Sequence, residues 1–298
     1  MPEPGDAPPC GGERLSVTFA GSTFSFEGLA RHQADHVRGY LAELLSPPRS
    51  GSVAVEIADG TTAWFRDTAP IPPWGFSLDL DPQPDAVRVA GLPWLGLIRH
   101  QPELAAWLWI PAEEQLFFPA AFENFFRVLT AYRLLSRGGA LLHSAAIVSD
   151  GEAFLFFGPS GAGKTTISRL ALRAGAHVLS DDLNAFWMED GRPHLQRVPF
   201  AGDLKQKAEA SISYELRAAA CLEKGPELRY RPMRPARALA AMLASAPFVN
   251  VDRFAGDQLQ SNLSGLLRAP AGRLTFSPDH GFNQILRCLR SGVAEKAG

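Results

Sequence analysis

The chain has 298 residues, 46% of them hydrophobic, which is enough apolar material for one large core or two smaller ones and favours two domains. Its 29 basic and 31 acidic residues leave a formal net charge of −2, so there is no cationic excess to neutralise nucleic-acid phosphates in bulk. Cys10, Cys221 and Cys288 are too few and too scattered for a disulfide framework or a zinc site, residues 1–14 carry acids and prolines where a signal peptide needs a basic start and an apolar stretch, and no later apolar run reaches membrane-spanning length.

These features predict a soluble cytoplasmic protein with neither nucleic acid nor membrane as partner. Residues 1–14 read as a disordered tail, because 2–12 are rich in Pro and Gly with little to bury. Leu15, Val17 and Phe19, the turn Gly21-Ser22, then Phe24 and Phe26 alternate as a β-hairpin. Residues 31–45 place Ala34, Val37, Leu41 and Leu44 at helical spacing, with Pro47 as the stop. Val53, Val55 and Ile57 predict a strand that turns at Asp59-Gly60 into a return strand through Ala63 and Phe65. Residues 86–98 and 104–110 read as further strands. Residues 15–118 are therefore expected to form a small α+β domain without a catalytic signature, available for substrate recognition. Its Trp64, Trp74, Trp94, Trp107 and Trp109 either line a ligand groove or, as aromatics at strand spacing more often do, fill the core.

Phe122, Phe125, Phe126, Leu129 and Leu135 mark a helix ended by Gly138-Gly139, and the domain boundary is placed just before it, so that 119–298 form a second domain. Residues 141–149 predict an apolar strand. Asp150-Gly151 is a two-residue hairpin turn, and 153–157 return antiparallel. That return strand runs straight into Gly158-Pro-Ser-Gly-Ala-Gly-Lys164-Thr165-Thr166, which completes the G-x-x-x-x-G-K-[ST] pattern and is followed by a helical stretch at 167–172. A loop of this kind turns backbone N–H groups toward a phosphate chain, and the first helical turn adds its positive end. Gly158, Ser160, Gly161, Ala162, Gly163, Lys164, Thr165 and Thr166 are the predicted nucleotide-binding residues. Lys164 is expected on the β- and γ-phosphates and Thr165 on Mg²⁺, which makes ATP and Mg²⁺ the predicted cofactors.

Residues 175–182 follow as a short strand ending in Asp181-Asp182, seventeen positions after Lys164. Phosphoryl transfer needs one carboxylate near the metal and another to orient or deprotonate the acceptor hydroxyl. Consecutive strand residues face opposite ways, so the two aspartates can divide these tasks. The alternative is an Asp-Asp cap on a helix beginning near Leu183-Asn184. His143, on the strand paired with the loop strand, is either a site residue or an ordinary edge histidine.

In His143, the loop from Gly158 to Thr165, and the Gly-x-x-x-x-x-Asp-Asp stretch at 175–182, the chain resembles the HPr kinase/phosphorylase family, bacterial serine kinases related in fold to ATP-dependent phosphoenolpyruvate carboxykinase. The likeness covers residues 120–185 specifically and the rest of the C-terminal half loosely. It implies an α/β P-loop kinase core with a mixed sheet, preceded here by the small α+β domain. It also implies an ATP-dependent phosphotransferase: Asp181 as the base that takes the serine proton, Asp182 supporting the metal, His143 tuning Asp181, and Lys164 neutralising phosphate. The family's later glutamate-bearing segment has no match, Glu209 in 205–214 fitting a solvated helix face. The N-terminal domain also differs. The better likeness is to divergent members found with peptide-tailoring genes, whose acceptor is a serine in a peptide or small protein, with homo-oligomerisation possible.

Arg229, Arg231, Arg234 and Arg237 form the basic cluster of the chain, interrupted by Pro232 and Pro235. They either clamp a phosphoryl group or acidic substrate, or decorate a Pro-stiffened solvated loop before a helix at 236–244. Ser277-Pro278-Asp279 opens a final packing helix. Two other functions remain open on these residues. One is a small-molecule kinase of shikimate- or adenylylsulfate-kinase type, although those typically show Asp-x-Asp and lack the His143 hairpin. The other is a non-catalytic nucleotide-binding module, for which Leu263-Ser-Gly265 does not complete the signature of a transport ATPase.

Overall fold

The computed structural model describes residues 2–61, 78–91, 93–200, 202, 204 and 212–294. The chain is a mixed α/β protein with two mixed sheets and, among the described residues, six α-helices. It divides into two compact units, Met1–Arg133 and Leu134–Gly298. Among the described residues no helix is long and apolar enough to cross a membrane.

The first unit is built on a seven-stranded sheet in the order β1-β2-β3-β7-β6-β5-β4. The strands are β1 (Glu13–Phe19), β2 (Ser22–Leu29), β3 (Val53–Asp59), β4 (Asp79–Pro82), β5 (Ala86–Gly91), β6 (Trp94–Arg99) and β7 (Ala105–Ile110). Helix α1 (Arg31–Tyr40) connects β2 to β3, which run parallel, and a short 3-10 turn at Ala42–Leu44 continues the predicted helical stretch. Both neighbours of β3, strands β2 and β7, are parallel to it. Ala63 and Phe65, expected on a return strand, lie outside the described residues, as do Trp64 and Trp74.

The expected disordered tail is corrected over its described part. Asp59 N–H donates to Pro8 O at 2.8 Å, Cys10 N–H to Ile57 O at 3.3 Å and Gly11 N–H to Gly28 O at 2.9 Å, and β1 already begins at Glu13. The cause is backbone rather than side chain: β3 outruns its last pairing with β2, at Glu27 and Glu56, and the N–H and C=O groups beyond need partners. A low apolar content does not register that demand.

Helix α2 (Phe118–Ser136) carries the aromatic face seen in the sequence. Phe126 meets Phe19, Phe24 and Phe26 edge-on at ring-centroid distances of 5.7, 5.1 and 5.4 Å, and all four rings are buried. These contacts bind most of α2 to the first unit. The boundary therefore falls between Arg133 and Leu134, inside the helix, and not near residue 119. Trp94 and Trp109 are buried too, the core alternative for the aromatics, while half-buried Trp107 donates its indole N–H to Glu56 at 3.0 Å. Phe126→Ala is expected to cost about 3–5 kcal/mol of stability, because the cavity it leaves is walled by other rings that cannot collapse; chemical denaturation followed by near-UV circular dichroism checks this.

The second unit holds an eight-stranded sheet. Its strands are β8 (Ala140–Ser149), β9 (Glu152–Phe157), β10 (His177–Ser180), β11 (Leu183–Glu189), β12 (Arg192–Arg197), β13 (Ser213–Lys224), β14 (Arg229–Pro232) and β15 (Ala271–Phe276). Strands β9, β13 and β15 are parallel neighbours, while β8 and β14 flank them antiparallel. The far part of β8 pairs with β11, β11 with β12 and β12 with β13, so these pairings close a ring through β9. Helices α3 (Lys164–Arg173) and α6 (Phe282–Ala294) bury Ile167, Ala171, Ile285 and Leu289 against Phe154, Phe156, Leu222, Leu274 and Phe276. Helices α4 (Pro235–Leu243) and α5 (Gly256–Leu266) complete the unit.

Three local readings are narrowed or revised here. Asp181-Asp182 follow strand β10 and precede strand β11, which removes the helix-cap alternative. The arginine cluster lies on β14 and at the start of α4 rather than in an irregular loop. The final helix begins at Phe282, after a turn in which Ser277 N–H donates to His280 Nδ1 at 2.9 Å. Glu209 lies outside the described residues.

Candidate functional site

The site is assembled on two consecutive residues of β8. Asp150 and Gly151 adopt φ of 55° and 77°, closing the tight turn that brings β9 back beside β8. Ser144 then stands opposite Phe157, the last residue before the Gly-rich loop, and His143 stands opposite Leu183, the first residue after the two aspartates. Ser144 N–H also donates to Asp182 O at 2.9 Å. The loop and the carboxylate pair are thus held on opposite edges of one strand.

The loop has the backbone that phosphate binding requires. Gly161 and Gly163 take φ of 76° and 113°, conformations that a side chain would strain, and a Cβ at Gly163 would press on the Phe276 ring at 2.9 Å. Gly158 is buried, while Ser160 and Gly161 are exposed at the loop's apex and Ala162 is tucked beneath it. Helix α3 starts at Lys164 with no side-chain cap, and Ile167 N–H makes its bond to Gly163 O at 2.9 Å. The N–H groups of Lys164, Thr165 and Thr166 have no carbonyl a turn earlier in the helix, and the helix's positive end stands with them. Lys164 is 7% exposed, and its Nζ donates to Gly158 O at 2.9 Å and Pro159 O at 3.3 Å, so its ammonium lies folded along the loop.

The aspartates differ in surroundings. Asp181 is 5% exposed; its Oδ1 accepts from Leu204 N–H at 3.3 Å, and its Oδ2 is buried without a hydrogen-bond partner among the described residues. A buried carboxylate oxygen left in this state suits a cation. Gly202 approaches so closely that a Cβ there would collide with Asp181 Oδ1 and come within 3.2 Å of Asp182 Cβ. Asp182 is more open, and its Oδ1 lies 3.3 Å from His143 Nε2. His143 was expected to tune Asp181; the structure pairs it with Asp182. The pairing shifts register between Val178 and Ser180 and the chain turns after Ser180, and that irregularity decides which of two neighbouring side chains faces β8.

Burial, and then the Lys164 charge, hold His143 below its ordinary value, with Asp182 and Asp181 pulling the other way. Burial likewise lowers Lys164, opposed by Asp182. In both cases the unfolded chain binds its proton more tightly than the folded one, so both groups subtract from stability. For His143 that loss sets in as pH falls below about 6.5 and grows down to its lowered folded value.

Sequence reading passed over three residues that hold this arrangement. Asn184, buried on β11, donates to Ser144 O at 2.8 Å and Ser144 Oγ at 3.1 Å, tying the carboxylate turn to β8. Ser180 Oγ accepts from the N–H groups of Asp182 and Leu183 at 3.2 and 3.3 Å. An amide in the otherwise apolar run Leu183-Asn-Ala-Phe was the available signal for Asn184. For Gly202 there was none, because its role is a contact with residues far along the chain.

A family model described as SynChlorMet cassette protein ScmC matches residues 124–264. That span contains the loop, both aspartates, His143 and the arginine cluster. No curated protein matches. Among solved structures the chain is similar to the Hpr(Ser) kinase/phosphatase from Coxiella burnetii, at 14% identity and a TM-score of 0.29, over 53% of this chain and 99% of that one. This likeness is weak, and the functional reading rests on the residues described above.

The site fits a nucleotide with a divalent cation. Among the described residues no group of three His, Cys, Asp or Glu side chains gathers around one point. Magnesium in phosphoryl-transfer sites needs only one or two carboxylates, completed by phosphate and water. Thr165 and Asp181 meet that requirement in kind.

Proposed function

We propose that this protein is a Mg-ATP-dependent phosphotransferase that acts on a serine hydroxyl of a peptide or small protein. The observation that carries the reading is the division of labour between neighbouring carboxylates, one buried with an unsatisfied oxygen and the other paired with His143, beside a glycine-rich loop and the uncapped start of α3. Bound Mg-ATP supplies the phosphoryl group and the cation that offsets its charge. The backbone from Gly161 to Thr166 holds phosphates, Lys164 turns its ammonium from the loop carbonyls to them, and Thr165 and Asp181 hold the metal. Asp182 would take the acceptor's hydroxyl proton as the serine oxygen bonds to the γ-phosphorus and the bond to the departing ADP breaks, and His143, kept neutral by burial and by Lys164, hydrogen-bonds Asp182 and orients it. This exchanges the roles that the family resemblance suggests for Asp181 and Asp182.

The first unit is proposed to recognise the acceptor, and the protein to act in the cytoplasm without nucleic-acid or membrane partners. Its three free cysteines support a reducing compartment. Incubation with Mg-ATP and peptides encoded by neighbouring genes, read by intact mass, tests the proposal: one added phosphate on a serine is expected. Consumption of ATP at the same rate with and without acceptor contradicts it. Gly202→Ala is expected to slow transfer by roughly 10²-fold and to weaken Mg²⁺-dependent nucleotide binding, since the added methyl displaces Asp181 from its place; single-turnover rates beside binding constants check this.

A further inference from the structure

A cavity of about 450 Å³ opens on the second unit and is lined by Arg229, Arg231, Arg234, Arg237 and Arg273, with Glu223 as its acidic residue. Paired residues on neighbouring strands project to the same face, as do alternate residues along a strand. The registers Arg229↔Thr275, Arg231↔Arg273 and Glu223↔Thr275 therefore put Arg229, Arg231, Arg273 and Glu223 on one face of the sheet. Leu222, Leu274 and Phe276 occupy the other face, buried against α3 and α6.

Glu223 is already committed: it accepts from Arg273 at 3.3 Å and from Thr275 at 3.1 Å. Arg229, Arg231, Arg234 and Arg237 are exposed and make no ion pair among the described residues. The positive end of α4, which has no side-chain cap, adds to the same field. In a chain of net charge −2, such a concentration of unpaired like charge repels itself and calls for an anion.

Geometry narrows the anion. Arg229 and Arg231 are two residues apart on a strand, about 6.6 Å, which matches alternate side chains of an extended peptide. Strand spacing puts β15 roughly 10 Å and β14 roughly 14 Å from the loop strand β9, so the cluster serves an anion other than the loop's phosphates. No aromatic ring lines the cavity to stack a base, unlike single-stranded nucleic-acid sites. Guanidinium groups pair with carboxylates bidentately.

We infer that this arginine cavity docks a carboxylate-rich peptide segment. The cavity lies at the end of β13 and β15 that also carries the loop, since β9, β13 and β15 are parallel and Leu222 O is 3.5 Å from the Cβ position of Gly158. If the phosphotransferase reading holds, on which this one step depends, the segment belongs to the acceptor.

The test uses the full chain and fluorescein-labelled hexaglutamate, followed by anisotropy at low ionic strength, with a fluorescent ATP analogue titrated in parallel. Arg231→Glu/Arg234→Glu is expected to weaken hexaglutamate binding by about tenfold or more while nucleotide affinity is unchanged, and Arg231→Gln/Arg234→Gln to give an intermediate loss. Equal binding of hexaglutamate by wild type and both variants overturns the inference. So does an oligothymidylate of equal charge that binds as tightly through the same arginines. Arginine-dependent peptide binding without any phosphate transfer leaves the docking site standing and removes the phosphotransferase reading instead.

Discussion

Lys164→Ala is expected to abolish detectable nucleotide binding at ordinary concentrations and to reduce transfer on the order of 10³-fold. Among the described residues the ammonium's hydrogen bonds go to the loop carbonyls Gly158 O and Pro159 O, so its loss breaks no hydrogen bond between strands or helices. Nor should the fold suffer. Burial lowers the lysine's proton affinity in the folded state, so a neutral side chain of similar length removes a cost, and Lys164→Met should raise the unfolding temperature measured without nucleotide. A nucleotide titration and a thermal scan on the two variants check both halves. Wild-type affinity in Lys164→Ala would remove the phosphate-loop assignment.

The second large effect separates the carboxylates. Asp182→Asn should lower single-turnover transfer by roughly 10²–10⁴-fold and leave Mg-ATP affinity within a few-fold, because a general base acts in the transition state and contributes little to ground-state binding. Asp181→Asn should instead weaken Mg²⁺-dependent nucleotide binding, and part of its lost activity should return at high Mg²⁺. The reasons are structural: Asp182 Oδ1 lies beside His143 Nε2, whereas Asp181 keeps a buried oxygen without a hydrogen-bond partner among the described residues. The opposite pattern, with affinity collapsing in Asp182→Asn and turnover alone in Asp181→Asn, restores the assignment that family resemblance implies.

Local pattern carried much of this molecule. The Gly158–Thr165 loop needs glycines at positions whose φ is positive, and Asp150-Gly151 needs two such residues in a row; both requirements are written in residue type, so the backbone of the glycine-rich loop and the hairpin that feeds it were legible. The same holds for the alternating strands of the β1–β2 hairpin and for the aromatic face of α2, whose periodicities of two and 3.6 report directly which side is buried. The joining of α2 to the first unit was not legible, because its partners Phe19, Phe24 and Phe26 lie a hundred positions away in the chain.

Tertiary structure alone decided three matters. It built residues 8–11 onto the sheet, since a strand edge left unpaired attracts backbone whatever side chains that backbone carries. It gathered Arg273 from β15 to the four arginines near β14, an association that the antiparallel pairing of β14 with β15 creates and that no local spacing records. And it chose between Asp181 and Asp182. Adjacent residues of one type are equivalent in a sequence, and only the turn after Ser180, held by Asn184 and crowded by Gly202, buries the first and hands the second to His143.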